Sequence, residues 1–335
     1  MELARHVVMY LPRDLWLCQI IKRSADLHPE SQKLIIILSS DTEFDPPLGN
    51  ETWKQRSTRG FVDGLDRFLE LCDRYKAPAT LFCEGKLVEQ FPDIFRENAH
   101  RHEIGCHAYN HEWLGVRAPP RSIPRCREFP VLSFEAKALV LRRAIKCIEN
   151  AVGRTPKAFK APFNSVDHAS TLTLLDSVGF DSDSSLPCYN NESFRHPLRP
   201  APCRHGSKCN LWNEGAMRLI EVPFMIRPRP LFLHPFDDVI DTAARGMKLA
   251  IESVNFQARI DMLSGRGFTL VHVTSHPWEF SETKLFGCDG RANAKRLEAF
   301  LDELSSSYDA RFLTVTEFVG LWERESCHLH SNQTG

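Results

Sequence analysis

Residues 33–43 read Lys-Leu-Ile-Ile-Ile-Leu-Ser-Ser-Asp41-Thr42-Glu43. The apolar run Leu34 to Leu38 is strand length, far short of the ~18–20 residues of a membrane helix. It reads as the centre of a buried strand over 33–40. The strand ends in two carboxylates, Asp41 and Glu43, two residues apart. If the strand continues, both project from the same face. Carboxylates at the C-terminal end of a buried barrel strand are costly unless paired or bound to a cation. Helix capping or a solvated loop is the plainer reading for either one alone.

Outward from this strand, short apolar runs alternate with helical patterns. Residues 61–75 carry apolar side chains at 61, 62, 65, 68, 69, 71 and 72, a helical stripe. Strands are expected at 79–83, 103–107, 157–160, 180–184, 218–222, 268–275 and 312–315. Helices are expected at 87–98 with a break at Pro92, at 133–152, at 169–178, at 240–263 and at 292–304. Ser133 is placed as an N-cap, and Gly153 and Gly179 as stops. Strands alternating with helices imply parallel βα units. Seven or eight such units favour a barrel over an open sheet. The expectation is an α/β fold, a distorted, TIM-barrel-like (β/α) barrel of about seven parallel strands. It would span 33–320, after a lead-in over 1–32 and before a flexible tail over 321–335. Residues 186–216, rich in Pro, Asn, Arg and Cys without periodicity, read as an irregular loop insertion at one end of the barrel.

Composition narrows the function. Lys plus Arg is 42 and Asp plus Glu is 43, a net charge of −1, which argues against nucleic acid as the main partner. Neither a dinucleotide-binding G-x-G-x-x-G nor a phosphate-binding G-x-x-x-x-G-K-[ST] occurs. The 11 cysteines are an odd, scattered set, which suggests a reducing compartment. The early apolar run is broken at Pro12, Arg13 and Asp14, and no stretch reads as a signal peptide or transmembrane segment. The expected location is the cytoplasm.

Two further segments gather titratable groups. In His102-Glu-Ile-Gly-Cys-His107-Ala-Tyr-Asn-His111 the last two imidazoles are four apart, the spacing that one helical turn brings to one face. Imidazole suits Zn, Fe, Co and Ni. The pair is a weak signal in a chain with 14 His, but it directly follows an expected strand. In Val271-His272-Val273-Thr274-Ser275-His276-Pro277-Trp278-Glu279, His276 stands at a strand end, whereas His272 inside the strand reads as a hydrogen-bonded core residue. Together the segments supply a two-histidine, one-carboxylate metal site with a base and an acid beside it. Cys203, His205 and Cys209, with Cys188 nearby, fit no standard zinc spacing and read as reduced loop thiols.

The order of these segments resembles the polysaccharide deacetylase family, the NodB-homology carbohydrate esterases. Asp41-Thr42-Glu43 is similar to an Asp-x-Glu variant of the family's first motif, and His107 through His111 to its metal-binding motif. Phe159-Lys160-Ala161-Pro162-Phe163 sits where the family has Arg-x-Pro. Asp183-Ser184-Ser185 resembles its Asp-Ser-Ser motif, and His276-Pro277-Trp278-Glu279 its last motif. The resemblance implies the NodB-homology fold and one divalent metal on Glu43, His107 and His111. Zinc is the first choice, with Co2+ or Mn2+ as alternatives. It implies Asp41 as general base and His276 as general acid. Lys160, Pro162, Asp183 and Trp278 would support the site or contact substrate, Lys160 orienting Asp41. Lys160 keeps the charge of the family's arginine but lacks its planar fork. The implied function is an N-deacetylase acting on an N-acetylamino sugar in a glycan or glycan precursor. The partner would be a carbohydrate or glycolipid. A deformylase or other amidohydrolase on a lipid- or nucleotide-linked sugar, and an inactive glycan-binding protein, are the competing readings.

Overall fold

The computed structural model describes residues 26–47, 52–53, 55–115, 129–166, 171–185, 203–204, 218–224, 247–263, 265–283 and 288–331. The first strand, β1 (Lys33–Thr42), is buried along all but its first residue. It continues through Asp41, so the ladder carries the first carboxylate into the sheet. β1 pairs in parallel with β2 (Ala79–Cys83) on one side, Leu38 opposite Ala79 through Thr42 opposite Cys83. On the other side it pairs with β8 (Phe268–Ser275), Lys33 opposite Phe268 through Ser40 opposite Ser275.

Beyond β2 the parallel ladder continues through β3 (Glu103–Cys106), β4 (Ala158–Phe159), β5 (Ser182–Asp183) and β7 (Ile220–Glu221). Seven parallel strands thus run in the order β7-β5-β4-β3-β2-β1-β8, a curled half-barrel of the expected α/β class. β6 (Cys203–Arg204) edges β7 in the antiparallel sense, and β9 (Ala310–Phe312) pairs with the lower half of β1.

Two alternating faces build two cores. Leu34, Ile36 and Leu38 of β1 pack outward with Val271 and Val273 of β8 against the helices. Chief among these is α1 (Phe61–Arg74), whose Phe61, Leu65, Phe68 and Leu69 form its buried stripe. Ile35 and Ile37 point inward with Phe82, Phe268 and Leu270. Continuing inward with the same period of two come Ser39, Asp41 and Glu43 on β1, and His272, Thr274 and His276 on β8. The interior is therefore apolar at the N-terminal end of the sheet and polar at the C-terminal end.

The connecting helices follow their sequence signals. The expected helix with a break at Pro92 is two: α2 (Gly85–Gln90) and α3 (Pro92–Asn98), Pro92 standing at the first helical position. α4 (Phe134–Val152) is capped by Ser133, whose Oγ accepts from Ala136 N at 3.2 Å, and stops at Gly153 with φ 74°. α5 (Thr173–Val178), α6 (Met247–Leu263) and α7 (Gly290–Ser307) complete the layer. Gly64 in α1 is required by close approach, because a Cβ there would stand 2.0 Å from Pro277 O. That contact seats α1 directly against the turn after β8.

The C-terminus differs from expectation. The strand expected over 312–315 ends at Phe312, and Val315 opens α8 (Val315–Ser331), so the segment 321–331 is helical rather than a tail. The Thr314-Val-Thr-Glu317 cap explains the switch: Glu317 N donates to Thr314 Oγ1 and Thr314 N to Glu317 Oε2. Val315, Phe318 and Val319 then fill the inward-facing apolar core. Among the described residues no helix is long and apolar enough to cross a membrane.

Candidate active site

The polar end of the interior gathers side chains from four strands. Asp41 lies in the β1–β2 ladder opposite Phe82, and Glu43 follows just beyond it; they are 8% and 4% exposed. His107 is the first residue after β3, its amide donating to Cys83 O at 2.8 Å. The chain then turns sharply, with Ala108 at φ 59° and His111 at φ 61°. His107 and His111 therefore meet across a loop, not along the helical turn that their spacing suggests. Left-handed non-glycine residues cost of order 1–3 kcal/mol each and persist where the surroundings hold them. Here the first amides of α2 do so: Gly85 N donates to Ala108 O and Lys86 N to Tyr109 O. Glu112 accepts from the amides of Tyr109 and Asn110.

Glu43, His107 and His111 bring one ligand atom each within 4.8 Å of one another. Glu43 Oε2 stands 2.5 Å from His111 Nε2 and 3.6 Å from His107 Nε2. His107 Nδ1 donates to Lys160 O at 2.8 Å, which leaves Nε2 as the atom facing Glu43. Glu43 is buried, with Oε2 between the two imidazoles. Three atoms able to ligate a metal thus converge. A buried set of this kind fits a divalent cation, and two imidazoles with one carboxylate leave coordination positions open.

Two charged devices flank the triad. Lys160, 1% exposed, lies 2.7 Å from Asp41 Oδ1 and donates to Thr274 Oγ1 at 2.7 Å. Burial pushes the Asp41 carboxyl up, but the charges of Lys160, His107 and His276 outweigh it and hold it below the ordinary carboxylate range. On the other side, His276 Nε2 is 3.8 Å from Asp41 Oδ2 and 4.0 Å from Glu43 Oε1. Its Nδ1 faces Glu279 Oε2 at 3.6 Å, and Glu279 also accepts from the His276 amide at 2.7 Å. Burial lowers the His276 pKa, yet Glu279, Glu43 and Asp41 together push it up to about 9. With its side chain 30% exposed, this imidazole can reach solvent. Burial raises and the imidazoles lower the Glu43 carboxyl, which ends well below its usual range.

The other expected residues are placed behind or beside these groups. Pro162, buried, starts a short turn after β4. Asp183 is fully buried; its Oδ1 accepts from Ser185 Oγ at 2.5 Å, and Ser185 Oγ accepts from Ala161 N at 2.8 Å. Asp183 therefore braces the segment carrying Lys160. Trp278 stacks on His276, centroids 4.8 Å apart. His272 is a core residue, bonded to Ser39 Oγ at 2.9 Å, its pKa held near 3 by burial and Lys160. The backbone of Cys203 forms part of β6, whereas Cys188, His205 and Cys209 lie outside the described residues, with nearly all of the 186–216 insertion.

Sequence reasoning missed four residues. Thr274 shares a strand face with His276, and Glu279 has the i+3 spacing of a capping box; both signals were present. Trp53, stacked on His111, and Arg56, paired with Glu84, sit in an aperiodic loop that carries no spacing signal.

Parts of the chain are similar to known proteins. A family profile described as Polysaccharide deacetylase matches residues 59–182. A peptidoglycan deacetylase of Helicobacter pylori is 27% identical over 125 residues, 37% of this chain and 37% of its own. The peptidoglycan deacetylase-like protein FGM2 of Gibberella zeae is 29% identical over 174 residues, 47% of this chain and 46% of its own. The chain thus spans less than half the length of these curated relatives. A putative polysaccharide deacetylase of Mycobacterium smegmatis shares the fold at TM-score 0.59 and 22% identity, over 89% of this chain and 92% of that one. The half-barrel and the profile match over 59–182 thus make this part of the chain similar to polysaccharide deacetylases.

Proposed function

We propose that the protein is a metal-dependent hydrolase that removes the N-acetyl group from an N-acetylamino sugar in a glycan or glycan precursor. The observation that carries this reading is the convergence of Glu43, His107 and His111 between the Asp41–Lys160 pair and the Glu279-held His276. The relatives described as peptidoglycan deacetylases support the choice of amide and sugar. Glu43, His107 and His111 would hold one divalent ion, zinc by donor set. When bound, such an ion lowers the pKa of water toward ~7 and withdraws electron density from an acyl oxygen.

The chain's own groups carry the proton steps. Asp41, kept ionised by Lys160, accepts a proton from the attacking water as its oxygen bonds to the acyl carbon. The charge that develops on the acyl oxygen is stabilised by fixed positive groups at the site. As the carbon–nitrogen bond breaks, His276, kept protonated by Glu279, donates its proton to the departing amine. Acetate and the free amino sugar leave. Trp278, stacked on His276, fixes the imidazole's plane and offers an apolar wall beside the leaving group.

The test is acetate release from N-acetylglucosamine oligomers by zinc-loaded protein, with a chelated sample alongside. Acetate that disappears on chelation is the expected result. No acetate despite bound zinc would redirect the search to N-formyl or lipid- and nucleotide-linked sugars. Neither acetate nor bound metal would overturn the reading in favour of glycan binding.

A further inference from the structure

The two histidines of the triad are held in different ways. His107 hydrogen-bonds a backbone carbonyl through Nδ1, the usual support for a ligating imidazole. His111 Nδ1 is buried and has no hydrogen-bond partner among the described residues. Its backbone is also in the left-handed region, at φ 61°. Apart from Glu43 at Nε2, what holds the His111 ring is aromatic contact. The Trp53 indole lies parallel to it, centroids 4.9 Å apart and planes 9° apart, and Phe163 meets it edge-on at 4.4 Å and 85°.

Trp53 is itself held by a buried ion pair. Arg56 and Glu84 are 3% and 0% exposed in their side chains and pair through both guanidinium nitrogens, one at 2.6 Å. Glu84 also accepts from Phe44 N at 3.1 Å, which ties the end of β2 to the end of β1. The Arg56 guanidinium stands 5.6 Å from the Trp53 ring centroid and donates to Asn110 Oδ1 at 3.3 Å, one residue before His111. The segment after β1 thus reaches over the metal loop and presses an indole onto a ligand that lacks the usual hydrogen bond.

We propose that Trp53 is a positioning residue for His111, replacing by stacking the hydrogen bond that orients His107, with the Arg56–Glu84 pair anchoring it. This inference rests on the metal site proposed above. The test uses the full chain. Zinc affinity is measured by competition with a chelator of known affinity, and the cobalt(II)-loaded protein is examined by its visible absorption bands. Trp53→Ala should weaken zinc binding about tenfold or more, the scale typical of lost outer-shell support, and alter the cobalt bands. Trp53→Phe, which keeps an aromatic face, should restore most of the affinity and the parental spectrum. The melting of the metal-free Trp53→Ala protein should match the parent, which separates positioning from general damage. If that variant fails to fold, Trp53→Leu keeps the bulk without the ring and should weaken binding as Ala does. Parental affinity and spectrum in Trp53→Ala or Trp53→Leu would overturn the inference. A parental protein that binds no metal would overturn the site on which it rests.

Discussion

β8 pairs with β1 along all eight of its residues, and β2 with β1 along five, whereas β4, β5 and β7 contribute two residues each. The long-strand half delivers Asp41, Glu43 and His276, three of the five groups proposed to hold the metal or move protons; His107 and His111 follow β3. The short-strand half delivers Lys160 and, behind it, Asp183 and Ser185. In the first half the ladder and the apolar cores on both faces fix the backbone, so a side chain at a strand end inherits its position. In the second half the ladder is too short to do this. Side-chain hydrogen bonds do it instead: Ser185 links Ala161 N to Asp183. Chemistry sits on the rigid half, and the charge that tunes it is supplied by the half held together by polar contacts.

Substitutions can break or sharpen that contrast. The largest effect is expected at Asp41 on the rigid half. Asp41→Asn should lower turnover by about 10²–10⁴-fold while bound zinc, measured by atomic absorption, stays at the parental level. Next comes Lys160→Met, which leaves a buried carboxylate without its cation. A cost of about 3–5 kcal/mol in urea unfolding of the metal-free protein is expected at neutral pH. The sign follows from Asp41 titrating lower in the folded chain than in the unfolded one. Its pairing stabilises the fold above the ordinary carboxylate range, and that contribution is lost as pH falls through the depressed value. The deficit of Lys160→Met should therefore shrink in acid.

Ser185→Ala tests the polar brace and should cost about 1–3 kcal/mol, because it leaves Ala161 N without its acceptor in a buried place. A change much smaller than this would mean that the short-strand half is held by packing after all. The smallest effect is expected at Glu279→Gln, within the rigid half. His276 is held above its ordinary value, up to about 9, so its pairing stabilises the fold below the ordinary imidazole range and is lost as pH rises through about 9. Removing the Glu279 charge should move the alkaline limb of the kcat/KM profile to lower pH.

The same contrast explains what could be read from the residues alone. The boundaries of β2 and β8 agree with the apolar runs at 79–83 and 268–275, because burial on both faces writes a strand into composition. β1 runs two residues past its expected end, since polar interior positions leave no apolar signal. The strands expected over 157–160, 180–184 and 218–222 pair over two residues each, because propensity extends further than the ladder does. At the site, Asp41, Glu43, His107, Lys160 and His276 lie on a strand end or directly after one. His111 was found by its spacing but for the wrong geometric reason: backbone strain at Ala108 and His111, not helical period, brings it round. Trp53 and Arg56 act through contacts across the fold, which no local pattern encodes.

The most direct test of the central claim is divalent-metal stoichiometry, measured on the purified protein beside Glu43→Gln. The account predicts one ion per chain in the parent and none retained after desalting in the variant, because the amide offers no charged ligand between His107 and His111. Equal metal content in both proteins, or none in the parent, would contradict it.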